Sequence, residues 1–199
     1  MTIADNVKMI REKIAGAAAR VGRDPAEITL VAASKMNPAE RVREAIEAGV
    51  DAVGENRVQE LLEKNSKSAY DGAPLHFIGH LQSNKVRQVV GLCDLIESVD
   101  SDNLIEQIGK RAILSGIKQD ILIEVNIGRE ANKSGVLPEN LEALLEDADK
   151  NAGVRVKGLM AIPPMGAHLS RTRNYFDEMF KLFVDIRAKK YDNNSMYFL

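Results

Sequence analysis

Apolar residues recur along this chain in two alternating kinds of run. The first has helical spacing: Val7, Ile10, Ile14 and Ala18 share one face of a helix expected from about Ala4 to Val21. Continuous β-branched and leucine runs then alternate with amphipathic stretches. Strand Ile28–Ser34 is followed by helix Ala39–Ala48, stopped by Gly49. Strand Ala52–Gly54 precedes helix Arg57–Lys64, and strand Leu75–Gly79 precedes helix Asn84–Val90. Strand Leu95–Val99 leads to helix Asp102–Leu114, and strand Asp120–Asn126 leads through a loop to helix Glu139–Lys150. Strand Val154–Ala161 runs into a Pro-rich loop and helix Thr172–Lys189, and a last strand starts at Ser195–Leu199.

Strands that read as unbroken apolar runs are buried on both faces, as in parallel sheets covered by helices. Six strand–helix units and the start of a seventh strand, with no break in composition, point to a (β/α)8 barrel in one domain, 1–199. A doubly wound sheet is the alternative, but no G-x-G-x-x-G turn follows the first strand. A barrel needs about 250 residues, so this one is expected to be truncated within its seventh strand, with a C-terminal portion outside these 199 residues.

Composition narrows the functional classes. With 27 basic and 29 acidic residues the net charge is -2, which offers no basic field for nucleic acid and no polybasic patch for a membrane surface. No apolar run approaches the roughly 20 residues of a membrane span, and the N-terminus lacks a signal-peptide pattern. Cys93 is the one cysteine, so no internal disulfide forms and a reducing, cytoplasmic setting is expected. Two cysteines at ligand spacing and a His-x-x-x-His pair are both missing, which disfavours structural zinc.

In barrels the active site lies at the C-terminal strand ends and the loops after them. Those positions hold Ser34-Lys35, Glu55-Asn56, His80, Ser98-Val99-Asp100, Glu124 with Asn126, Lys133 in the following loop, and Met160. Each has a plainer reading. Lys35 can be a solvated strand-end lysine, and Asn56, Ser83 and Ser101 can be helix caps. His80 can be a satisfied core histidine, Arg129 and Lys133 solvated loop residues, and Met160 simple packing. Their convergence on one rim is what favours a site. A partly desolvated lysine there loses its proton more readily, and the neutral amine condenses with aldehydes. Ser115-Gly116-Ile117-Lys118 has a Ser-x-x-Lys spacing but sits in a turn without partners, Cys93 precedes its strand at the wrong end, and no phosphate-binding P-loop is present.

Four segments carry a closer resemblance: Val31-Ala32-Ala33-Ser34-Lys35, Val53-Gly54-Glu55-Asn56-Arg57-Val58-Gln59-Glu60, His76-Phe77-Ile78-Gly79-His80-Leu81-Gln82-Ser83-Asn84-Lys85 and Gly158-Leu159-Met160-Ala161-Ile162-Pro163. Together they resemble the pyridoxal phosphate homeostasis protein family across nearly the whole chain. The resemblance implies the alanine-racemase N-terminal barrel and pyridoxal 5'-phosphate (PLP) held as a Schiff base. It places Lys35 as the Schiff-base lysine, Asn56 and His80 in the cofactor pocket, Met160 near the ring and Lys133 near the phenolic oxygen. It further implies a protein with no assigned reaction that buffers PLP or delivers it to PLP-dependent apo-enzymes. A monomer is expected because these residues leave no room for the β-rich second domain of the racemases. Family members continue with a Ser-Met-Gly-Met-Ser segment, then an Arg and a Gly-rich turn that hold the phosphate and pyridine nitrogen; none of these occurs in the 199 residues. Two other classes remain open: a PLP-dependent amino-acid racemase or related enzyme of this fold, and an aldolase-like enzyme that uses Lys35 on a sugar or keto acid.

Overall fold

A computed structural model describes residues 1–166, 168–189 and 191–199. Its strands are β1 (Val31–Ala33), β2 (Ala52–Glu55), β3 (Leu75–Phe77), β4 (Leu95–Val99), β5 (Gln119–Glu124), β6 (Val154–Met160) and β7 (Asn194–Phe198). Its helices are α1 (Ile3–Ala19), α2 (Ala39–Glu47), α3 (Val58–Asn65), α4 (Val86–Val89), α5 (Asp102–Leu114), α6 (Leu141–Asp149) and α7 (Leu169–Ala188). The strands follow one another in the sheet in chain order, from β1 to β7. The pairs β1·β2, β4·β5, β5·β6 and β6·β7 are parallel. A doubly wound sheet would reverse its order at a switch point; this one does not, as a barrel requires. The chain divides into two compact units, Met1–His76 and Phe77–Leu199.

In the first unit, α1 opens on a capping box in which the Thr2 hydroxyl accepts from Asp5 N and the Asp5 carboxylate accepts from Thr2 N. Of its expected apolar face, Val7 and Ala18 are buried while Ile10 is exposed. Arg11 ties α1 to the turn before β2, donating to Gly49 O at 2.8 Å and Asp51 Oδ1 at 2.6 Å. β1 is shorter than its apolar run. Pro25–Glu27 forms a 3-10 turn, and Leu30 N donates to the Asp51 side chain at 2.6 Å, so the ladder begins only at Val31. Nor is β1 buried on both faces: Val31 and Ala32 are half-buried and Ala33 is exposed. It stands at one end of the strand order, with β2 beside it.

The second unit holds β4 to β7 and α4 to α7. β4 and α5 keep their sequence-expected bounds, and α5 buries Leu104, Ile105, Ile108 and Ala112 as one stripe. Ile121, Leu122 and Ile123 of β5 are likewise buried. The buried Gln119 side chain bonds the turn before β4, accepting from Gly91 N at 3.0 Å and donating to Cys93 O at 3.0 Å. Where α5 crosses the turn into β6 the backbones touch: a Cβ on Gly153 would lie 2.3 Å from Gly109 O. No helix among the described residues is long and apolar enough to cross a membrane.

Candidate functional site

The chain leaves β1 through a turn whose corner is Lys35. Ser34 N donates to Gly54 O at 2.8 Å, carrying the ladder one residue past the strand, and Asn37 N donates back to Ser34 O at 3.1 Å. Within this turn Met36 has φ 60, the left-handed region that non-glycine residues seldom occupy. Lys35 is exposed, not partly desolvated as its strand-end position led one to expect. Register pairs Ala33 with Gly54, so Lys35 and Asn56 leave adjacent parallel strands at the same level.

Beneath the turn lies a buried ionic cluster. Glu55 is fully buried and Lys64 of α3 is 6 % exposed. Lys64 Nζ donates to Glu55 Oε2 at 2.6 Å, to Ser34 O at 2.8 Å and to Glu60 Oε2 at 3.0 Å. Glu60 Oε2 also accepts from Met36 N at 2.8 Å, and this amide, followed by Lys64, holds the Glu60 carboxyl below its ordinary range. Glu55 reaches both strand ends: Oε2 accepts from Ser34 Oγ at 2.9 Å, and Oε1 accepts from Asn56 N at 2.7 Å. The Asn56 side chain is different. Its Oδ1 is buried with no hydrogen-bond partner. Buried acceptors are normally satisfied, so an open one level with an exposed amine fits a polar ligand that reaches both.

Asn56 does not cap the next helix; that position is Arg57. Ser101 does occupy the cap of α5, without a side-chain cap bond, and the Ser83 hydroxyl instead accepts from Asn103 Nδ2 at 3.0 Å.

In the second unit the remaining expected residues surround the end of β5. Glu124 is 7 % exposed and pairs in register with Met160 at the end of β6. Burial pushes the Glu124 carboxyl up; the Ser134 hydroxyl, donating at 2.9 Å, opposes this, nearby Asp100 reinforces it, and His80 opposes it. His80 is itself exposed, which sets aside its reading as a core histidine. Lys133 lies exposed in the loop that follows. Asn126 organises that loop, with Oδ1 accepting from Glu130 N at 3.1 Å and Nδ2 donating to Glu130 O at 2.9 Å. Gly135 closes it with φ 106, where a Cβ would stand 2.5 Å from Asn126 N. Arg129 pairs with Glu139 and Glu178, both at 3.3 Å, and so has a structural use. The described residues hold no cluster of metal-ligating side chains.

The sequence pattern puts Glu55 on the rim and Lys64 at the end of a helix, with no inward role. One signal was present: Glu60 and Lys64 stand four apart, the spacing of a helical ion pair. What the sequence did not carry is that α3 docks with Lys64 inward.

The family model for the alanine racemase N-terminal domain matches residues 2–196. A pyridoxal phosphate homeostasis protein of Aquifex aeolicus (strain VF5) is 42% identical over 189 residues, 95% of this chain and 83% of that protein. Among solved structures, a protein of Bifidobacterium adolescentis described as unknown superposes with a TM-score of 0.90 at 33% identity, over 96% of this chain and 81% of that one. PipY of Synechococcus elongatus PCC7942, solved with PLP bound, superposes with a TM-score of 0.75 at 32% identity, over 87% of this chain and 82% of that one. The chain therefore belongs to the alanine racemase N-terminal domain family, and within it to the pyridoxal phosphate homeostasis proteins.

Proposed function

We propose that this chain binds pyridoxal 5'-phosphate through the Lys35 amine and buffers the cofactor or hands it to PLP-dependent apo-enzymes. The observation that carries the reading is the exposed Lys35 on a braced turn, level with the unpartnered Oδ1 of Asn56. PLP supplies an electrophilic aldehyde, which a neutral primary amine attacks. Lys35 is the amine in this reading and Asn56 stands beside it; His80, Met160 and Lys133 are the further cofactor-binding candidates that the family resemblance implies. PipY, 32% identical and solved with PLP bound, supports PLP as the ligand.

We read the protein as a carrier with no reaction of its own. Glu55 and Glu60, the carboxylates under the Lys35 turn, are both engaged by Lys64. Neither is free to act as a general base, which needs an unpaired group within reach of the proton it removes. The reading extends to residues 1–199 as one barrel domain, acting as a cytoplasmic monomer.

Transfer kinetics test it. Protein loaded with PLP is mixed with an apo-enzyme, and recovery of that enzyme's activity is timed against free PLP released at the same rate. Recovery faster than spontaneous release, lost in Lys35→Ala, is expected; equal rates contradict the carrier reading. The racemase family match gives a second reading, amino-acid racemisation. Turnover of one enantiomer by the loaded protein, seen by chiral analysis, would favour it instead.

A further inference from the structure

We propose that Lys64, acting with Glu55 and Glu60, is the positioning device for Lys35, and that the ionic cluster exists to aim that amine rather than to stabilise the fold. The proposal rests on the reading that Lys35 takes the cofactor. Its groups act on the backbone on both sides of Lys35: Lys64 Nζ holds Ser34 O at 2.8 Å and Glu60 Oε2 holds Met36 N at 2.8 Å. A side chain leaves its backbone along a direction fixed by those two peptides, so clamping both fixes where Lys35 starts. The third member links the two strand ends. Glu55 accepts from Ser34 Oγ through one oxygen and from Asn56 N through the other, so one carboxylate sets Lys35 and Asn56 relative to each other.

Two features argue against a merely structural role. Buried ion pairs rarely stabilise a fold more than apolar side chains of the same volume would, so a cluster this buried points to another use. Met36 in the left-handed region is also costly, and such strain persists only where the surroundings impose it, typically at functional sites. Glu60 imposes it here by taking the Met36 amide.

The test compares Glu60→Ala, Glu60→Gln and Glu63→Ala. Glu63 lies on the same helix but pairs with Lys67 on the exposed face, so its removal controls for a lost helical ion pair. Two quantities are read for each folded variant: hydrogen exchange at the Met36 amide, and the rate at which PLP adds to Lys35, trapped by borohydride and located by peptide mapping. Glu60→Ala is expected to speed Met36 exchange and slow addition, each roughly tenfold or more, the change that one charge-assisted hydrogen bond supports. Glu60→Gln keeps a neutral acceptor oxygen for Met36 N and is expected to recover part of both changes, falling between Glu60→Ala and the unaltered protein; Glu63→Ala is expected to change neither. Faster Met36 exchange with unchanged addition would overturn the proposal, as would unchanged exchange. If the unaltered protein adds no PLP at Lys35, the binding reading itself fails, and the positioning role falls with it.

Discussion

Replacing Lys64 by methionine removes the ammonium and keeps most of the side-chain volume. Glu55, fully buried, then loses its 2.6 Å partner, and Ser34 O loses a donor. Breaking a buried pair by deleting one member costs about 3–5 kcal/mol, because the other charge is left desolvated. For a domain of this size each kcal/mol lowers Tm by roughly 2–4 °C. A fall of about 6–20 °C is therefore expected, measured by thermal melts followed by far-UV circular dichroism at neutral pH and repeated by urea unfolding. A Lys64→Met/Glu55→Gln double variant removes the stranded charge and is expected to recover part of the loss. A fall of less than about 2 °C, below what 1 kcal/mol would give, would refute the reasoning, since Glu55 could then not be desolvated and dependent on Lys64.

Met36→Gly relieves a left-handed residue worth about 1–2 kcal/mol, less the roughly 0.5–1 kcal/mol of extra chain entropy glycine loses on folding. Met36 is 79% exposed, so little packing goes with it, and a net gain of about 0.5–1 kcal/mol in urea unfolding is expected; a loss of similar size would contradict the left-handed turn. Glu124→Gln tests the buried carboxyl at the end of β5. Its folded-state pKa is raised, so the native protein binds the proton more tightly, and stability falls as pH rises from the ordinary value of 4.5 through the folded one. The glutamine variant lacks that slope, and should gain on the unaltered protein with rising pH while the gap closes below the ordinary value; parallel profiles would count against burial of the charge. Gly153→Ala drives a Cβ to within 2.3 Å of Gly109 O and 2.7 Å of Gly109 Cα, backbone atoms that cannot swing aside. An overpacking loss of about 1–3 kcal/mol is expected in the same unfolding assay, and a neutral result would mean that the α5 crossing is looser than described.

Legibility tracked how local each determinant is. α5 kept its expected bounds because its apolar stripe, Ser101 before it and Gly116 after it all lie within the segment. The parallel strand order followed from the repeated strand–helix alternation. β1 is shorter than its apolar run because Asp51, far along the chain, takes the Leu30 amide that a ladder would otherwise use. At the site, Lys35 and Asn56 were visible as polar residues at strand ends. The cluster beneath them was not, because the burial of Lys64 depends on how α3 docks. Nor does the sequence reveal the open Oδ1 of Asn56, since that requires knowing every donor around it.

The most direct measurement of the central claim is an intact mass and peptide map after the protein is mixed with PLP and reduced with borohydride, which fixes an amine–aldehyde linkage as a stable secondary amine. A single pyridoxyl-phosphate mass on the peptide that contains Lys35, absent from Lys35→Ala, is the predicted result. An unmodified Lys35, or label spread over the exposed surface lysines, would contradict it.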